Sequence, residues 1–156
     1  MNKKLMLALA LAAVMVLTGL ALGQSGMDPD GRPNLKAGDA LGYLIWRDHQ
    51  NLWHLRWTTG GKRRHFTGSV TALGGNFVGG KKVGVEAGED RVNIGPQQIQ
   101  FSAHAAGGQD GVDFGLGPRV QRVRFDLNVD GRPMPDRVFV GRNKLHPVSN
   151  PFELSP

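Results

Sequence analysis

From Gly42 onward the apolar residues of this chain recur at every second position, and no stretch of this region carries a helical spacing. A side chain that alternates in this way points to opposite faces of an extended strand, so the pattern confines the chain to β-structure. In Leu52-Trp53-His54-Leu55-Arg56-Trp57-Thr58, the residues Trp53, Leu55 and Trp57 share one face, while His54 and Arg56 share the other. His65 to Val70, Gln98 to Ala103, Val112 to Leu116 and Val123 to Asp130 alternate likewise. Shorter candidates are Gly42 to Arg47, Lys82 to Glu86 and Arg91 to Ile94. The chain has 23 glycines, many of them at the breaks between these runs. Short strands with frequent glycine turns predict an all-β fold, a single antiparallel β-sandwich or closed barrel of about 7–9 strands. A membrane barrel fits poorly, since it needs longer strands and an apolar outer face; here the second face is charged.

Three hairpins follow from turn chemistry and register. Gly60-Gly61 suits a tight turn with both central residues at positive φ. With these glycines at its tip, Leu55 lies opposite Phe66 and Arg56 opposite His65, so the apolar faces agree. Across the loop His104 to Gly111, pairing Ala103 with Val112 also pairs Phe101 with Phe114 and Ile99 with Leu116. Asp136 to Val140 is expected to return along Val123 to Asp130 after a Gly/Pro turn. The expected interior holds Trp53, Leu55, Phe66, Phe101, Phe114, Phe125 and Leu127.

The amino end carries a second signal. Lys3 and Lys4 precede an apolar run from Leu5 to Leu22, and the small residues Ala21 and Gly23 close it. That layout predicts a secretory signal peptide over residues 1–23, cleaved near Gly23, and a secreted or periplasmic protein. An uncleaved membrane anchor is the alternative, because a run of this length can span a bilayer. Residues 24–40 read as a flexible linker and 41–156 as the β-sandwich domain, with an extended, proline-rich tail at 146–156 anchored by Phe152 and Leu154. The chain has no cysteine, which excludes disulfides, thiol nucleophiles and thiolate metal sites. Of its 19 basic residues, 17 remain after the leader against 13 acidic ones, a balance of +4 that is compatible with anionic partners and also serves solubility alone.

The candidate chemistry is sparse. Arg56, Lys62, Arg63, Arg64 and His65 form a basic strand face that Arg122 and Arg124 extend, and guanidinium groups grip phosphate or sulfate with paired hydrogen bonds. The plain alternative is a solvated face, with Lys62 and Arg63 guarding a sheet edge. Tyr43 and Trp46 are candidates for an exposed aromatic platform on which a sugar ring stacks. Asp126-x-Asn128-x-Asp130-Gly131 resembles the opening of a calcium loop, but the twelfth position is Arg137 where a carboxylate belongs. Glu86, Glu89 and Asp90 form a second, looser acidic group. The five histidines show no zinc-motif spacing, and neither a nucleophile elbow nor a phosphate-binding loop occurs. The expectation is therefore an exported, non-enzymatic binding module without metal or cofactor. Its partner would be an anionic polysaccharide or another envelope polyanion. A carbohydrate-binding module and a structural subunit held by an envelope protein are the alternatives.

Overall fold

The computed structural model describes residues 41–85, 88, 90–105, 110–133, 138–140, 144–146 and 150–156, with 138–140 and 144–146 as backbone alone. The predicted leader and linker lie outside these residues, as do Glu86, Glu89, Asp136 and Arg137. The described chain forms β1 (Leu41–Arg47), β2 (Trp53–Thr59), β3 (Arg64–Leu73), β4 (Phe77–Val83), β5 (Arg91–Ile94), β6 (Gln98–Ala105), β7 (Gly111–Leu116), β8 (Arg122–Val129), β9 (Arg132–Pro133), β10 (Val138–Val140), β11 (Lys144–His146) and β12 (Phe152–Leu154). No helix occurs among them. Four of these strands are only two or three residues long, which is why more are found than expected.

The strands make two sheets. The first runs β11-β10-β1-β2-β7-β4, and the second β12-β8-β3-β6-β5, with β9 beside β8. All described pairings are antiparallel except β1 with β10. The inward faces meet in one core, and alternation alone places its members. Leu55, Phe66, Phe114, Phe125 and Leu127 are fully buried, and Trp53 and Phe101 nearly so. Each such side chain contributes about 1.5–3 kcal/mol by leaving water. The tail closes the second sheet as an edge strand: Phe152 stacks on Phe125 with ring centroids 5.1 Å apart.

The strand partners differ from all three expected hairpins. Gly60 and Gly61 do adopt positive φ, at 62° and 80°, as a tight turn requires. Yet β2 pairs with β1 and β7, and β3 pairs with β6 and β8. The chain crosses from the first sheet to the second at this turn, forming an arch instead of a hairpin. The β6–β7 connection crosses back in the same way, because β7 pairs with β2 and β4. Beyond β8 the return strand is only Arg132–Pro133, and Val138–Val140 lies beside β1 in the first sheet. An arch brings two apolar faces together across the core, while a hairpin aligns them side by side. Register arithmetic on apolar residues is satisfied by both arrangements.

One hairpin that does form, β1–β2, turns through Asp48 to Leu52 without glycine. The Asp48 carboxylate accepts the amide N–H groups of Gln50 and Leu52, at 2.8 and 2.9 Å, and Asn51 takes a φ of 64°. The edge strand β4 is guarded by Lys81 and Lys82 and by a bulge at Gly79, the role the sequence had offered to Lys62 and Arg63.

Gly68, in the middle of β3, has no room for a side chain. A methyl there would press on the Asp126 carbonyl oxygen and come within 2.9 Å of Phe101 Cζ. Gly68→Ala should therefore lower stability by about 2–3 kcal/mol through overpacking. Urea unfolding measures this, and a loss under about 0.5 kcal/mol would show that β3 and β8 can part at no cost.

Candidate functional site

The seven basic residues of the predicted face fall in three places. Arg56 points outward from the first sheet but is buried and fully engaged. Its Nη2 lies 2.6 Å from Asp113 Oδ1, and its Nη1 donates to the carbonyls of Leu55 and Val112. Arg122 and Arg124 lie on the outer face of the second sheet, where Arg122 pairs with Glu153 at 3.1 Å. Lys62, Arg63, Arg64 and His65 gather at the opposite end of β3, roughly 20–30 Å away at 3.3 Å per residue. Arg56 thus leaves the predicted patch, because β2 and β3 belong to different sheets.

The aromatic platform is also corrected. Tyr43 is fully buried, and its hydroxyl donates to the Asn128 carbonyl at 2.6 Å. Burial pushes its phenol well above the ordinary value, against the opposing effect of that hydrogen bond, so it stays a neutral donor. Trp46 is 5% exposed, which leaves no ring face for a sugar. It stacks on His54 with centroids 4.6 Å apart, and the Arg56 guanidinium sits 5.4 Å from its ring centre. Sequence periodicity treats the outward face of β1 as open to solvent, and here it is not.

Trp46, His54 and Arg56 belong to a polar cluster built across β1, β2, β7 and the first turn. His54 Nε2 faces Asp48 Oδ2 at 3.0 Å, and His54 Nδ1 faces Asp113 Oδ1 at 2.7 Å. Burial works to raise the Asp48 carboxyl, but hydrogen bonds from His54 and from the Leu52 and Gln50 amides outweigh it and hold the group below its ordinary value. With both imidazole nitrogens and the guanidinium engaged, the cluster holds its own charges in place and offers no free base. Asp113 was legible as outward-facing from Val112-Asp113-Phe114; its partners required knowing that β7 lies beside β2.

The open geometry lies at the arch end. Here a cleft of about 450 Å³ is lined by Leu41, Arg64, Val129, Asp130, Arg132 and Pro133. Arg64 Nη1 binds Asp130 Oδ2 at 2.8 Å, while its Nε is buried with no hydrogen-bond partner. Asp130 takes a φ of 51° and accepts the His65 N–H on Oδ1 at 3.1 Å. That amide, together with Arg64, holds the Asp130 carboxyl below its ordinary value. The one described carboxylate in the lining is therefore already engaged. Arg132 is exposed across from Val129, and Lys62 and Arg63 project from the exposed arch beside Arg64. Arg132 escaped the sequence reading because it lies 68 residues after Arg64 and reaches this end only through the β3–β8 pairing.

Other candidates remain dispersed. Asp126 and Asn128 sit on the outer face of β8, joined by a 3.3 Å hydrogen bond, while Asp130 turns to Arg64. Among the described residues, no three His, Asp or Glu side chains are grouped to hold a metal ion. A second cleft of about 470 Å³ at the far end is lined by Gly74, Gly75 and Gly117 together with Asn76, Val78, Gln97, Pro118 and Arg119. No described helix is long and apolar enough to cross a membrane. Set against known proteins, the chain matches no family, no curated relative and no solved structure.

Proposed function

We propose that this protein is an exported, non-enzymatic module that holds anionic polysaccharides at the arch end of its sandwich. The observation that carries the reading is the cleft lined by Arg64 and Arg132, flanked by Lys62 and Arg63, whose described carboxylate, Asp130, is already bound to Arg64 and to the His65 amide. Guanidinium groups at two sides of a cleft present donors in fixed planes, which suits the sulfate, phosphate or carboxylate groups of an acidic glycan. The exposed lysine and arginine of the arch extend the attraction along a chain. Export rests on the Lys3-Lys4 and apolar layout of residues 1–23. The sugar-platform alternative loses its basis, since Tyr43 and Trp46 are both buried.

The test is binding of the purified protein to heparin across a salt series. Affinity should fall steadily as salt rises from ~50 to ~300 mM, because screening shortens the reach of exposed charges. The double variant Lys62→Glu, Arg132→Glu should weaken binding at least about tenfold at the lowest salt and reduce the salt slope by about two. Binding that ignores salt, or that survives both reversals unchanged, overturns the proposal. Binding to neutral dextran of equal strength would also reject it.

A further inference from the structure

Next to the cleft, two histidines lie face to face. His65 of β3 and His104 of β6 are direct cross-strand partners, with ring centroids 4.4 Å apart and planes within 11°. His65 is joined to the cleft lining twice through its backbone: its N–H donates to Asp130 Oδ1, and its carbonyl accepts the Asp130 N–H at 2.8 Å. A change at the imidazole pair is thus rigidly connected to Arg64 and Asp130.

We infer that the His65–His104 stack makes anion binding at the arch end dependent on proton uptake, so that the protein holds its polyanion more tightly in mildly acidic surroundings. This rests on the function proposed above and adds its regulation. The groups around the stack can be taken element by element. On β6, Ser102 Oγ meets His65 Nε2 at 2.8 Å. Ahead of β5, the Asp90 carboxylate accepts the His104 N–H at 2.8 Å and lies 3.6 Å from His104 Nδ1. On β5, Arg91 stands opposite Ser102. On β3, Arg64 precedes His65 and is held by Asp130 at the end of β8. Beyond these, Lys62 and Arg63 project from the arch, and Asn128 of β8 faces Thr67.

Among the described residues, the two imidazoles therefore share one carboxylate at ion-pair distance, and that carboxylate belongs to His104. The other described charges nearby are mainly cationic. A proton taken from solvent on His104 is balanced by Asp90. A proton on His65 would face an imidazolium at stacking distance with no such balance, and like charges that close repel strongly. A bound sulfate or carboxylate supplies the missing negative charge. Anion binding and the second protonation then favour each other, and the linkage is reciprocal. Imidazole is the side chain suited to this role, because its charge ordinarily changes between about pH 5 and 8.

The probe is dextran sulfate, whose charge does not vary over this range. For the wild-type protein, affinity at pH 5.5 should exceed that at pH 8 by about fivefold or more, with full coupling of one proton giving about tenfold per pH unit. In the double variant His65→Gln, His104→Gln, the ratio of the two affinities should fall close to one, whatever the absolute affinity. A measurement on the wild type alone guards against misfolding of that variant: saturating dextran sulfate should move the histidine proton resonances to a titration midpoint higher by about 0.7 pH unit, the same fivefold coupling seen from the other side. Salt-sensitive binding with equal affinity at both pH values overturns this inference and leaves the proposed function standing. A pH dependence that survives in the double variant overturns it too. No binding at either pH rejects the proposed function and this inference with it.

Discussion

Trp57→Ala is expected to lower the free energy of unfolding by about 4 kcal/mol, the upper part of the range for deleting a buried aromatic ring. Trp57 is fully buried at the end of β2, and its ring bridges the two layers. It stacks on Phe101 with centroids 5.0 Å apart and on Phe66 at 6.0 Å, both from the second sheet. Removing it opens a cavity that neither sheet can close, because both are tied by continuous ladders. A domain of this size has only about 5–15 kcal/mol in all, so the variant should sit near the edge of folding. Urea midpoints with an unchanged slope would report the loss. By contrast Val78→Ala, at a residue 62% exposed, should change stability by less than about 0.5 kcal/mol. A Trp57→Ala protein within about 1 kcal/mol of wild type would mean that the layers do not pack through this ring.

Asp113→Ala is expected to cost about 3 kcal/mol, for a different reason. The change takes the 2.6 Å ion pair from the Arg56 guanidinium, 9% exposed, and the 2.7 Å contact from His54 Nδ1, in a site with little water. Leaving one charge of a buried pair unbalanced costs more than the pair itself contributes, and the slight exposure of the cluster keeps the figure at the low end of the usual range. Asp113→Asn should lose less, since its amide oxygen still accepts one hydrogen bond. The same cluster makes the fold acid-sensitive through Asp48. Its folded carboxyl is held below the ordinary value, so its stabilisation is complete above the usual carboxylate range and disappears as pH falls through the lowered folded value. Asp48→Asn should therefore flatten the acid limb of a stability-against-pH curve measured by thermal melts. An unchanged acid limb would assign that limb to other carboxylates.

The candidate site was partly legible. Lys62, Arg63, Arg64 and His65 are contiguous in sequence, so any fold that exposes the Gly60-Gly61 turn keeps them together. Arg132, Asp130 and His104 join them only through the β3–β8 and β3–β6 ladders, which no local pattern announces. Arg56 shows the opposite case: it looks like a member of the basic face by alternation, and its burial comes from Asp113 on a strand 57 residues further on.

Alternation, turn glycines and charge were enough to decide that the chain is all β, which side chains of Trp53, Leu55, Phe66, Phe101, Phe114, Phe125 and Leu127 turn inward, and where the chain reverses. Those properties depend on each residue and its immediate neighbours, since the pleat alternates side chains whatever lies alongside. Only the tertiary structure decided that the reversals at Gly60-Gly61 and between β6 and β7 are arches between sheets, and hence which outward residues become neighbours. Apolar contact is non-directional and rewards a face for meeting another face either beside it or across the core. The choice between the two is made by the hydrogen-bond ladders of the whole sandwich, which no single pair of strands contains.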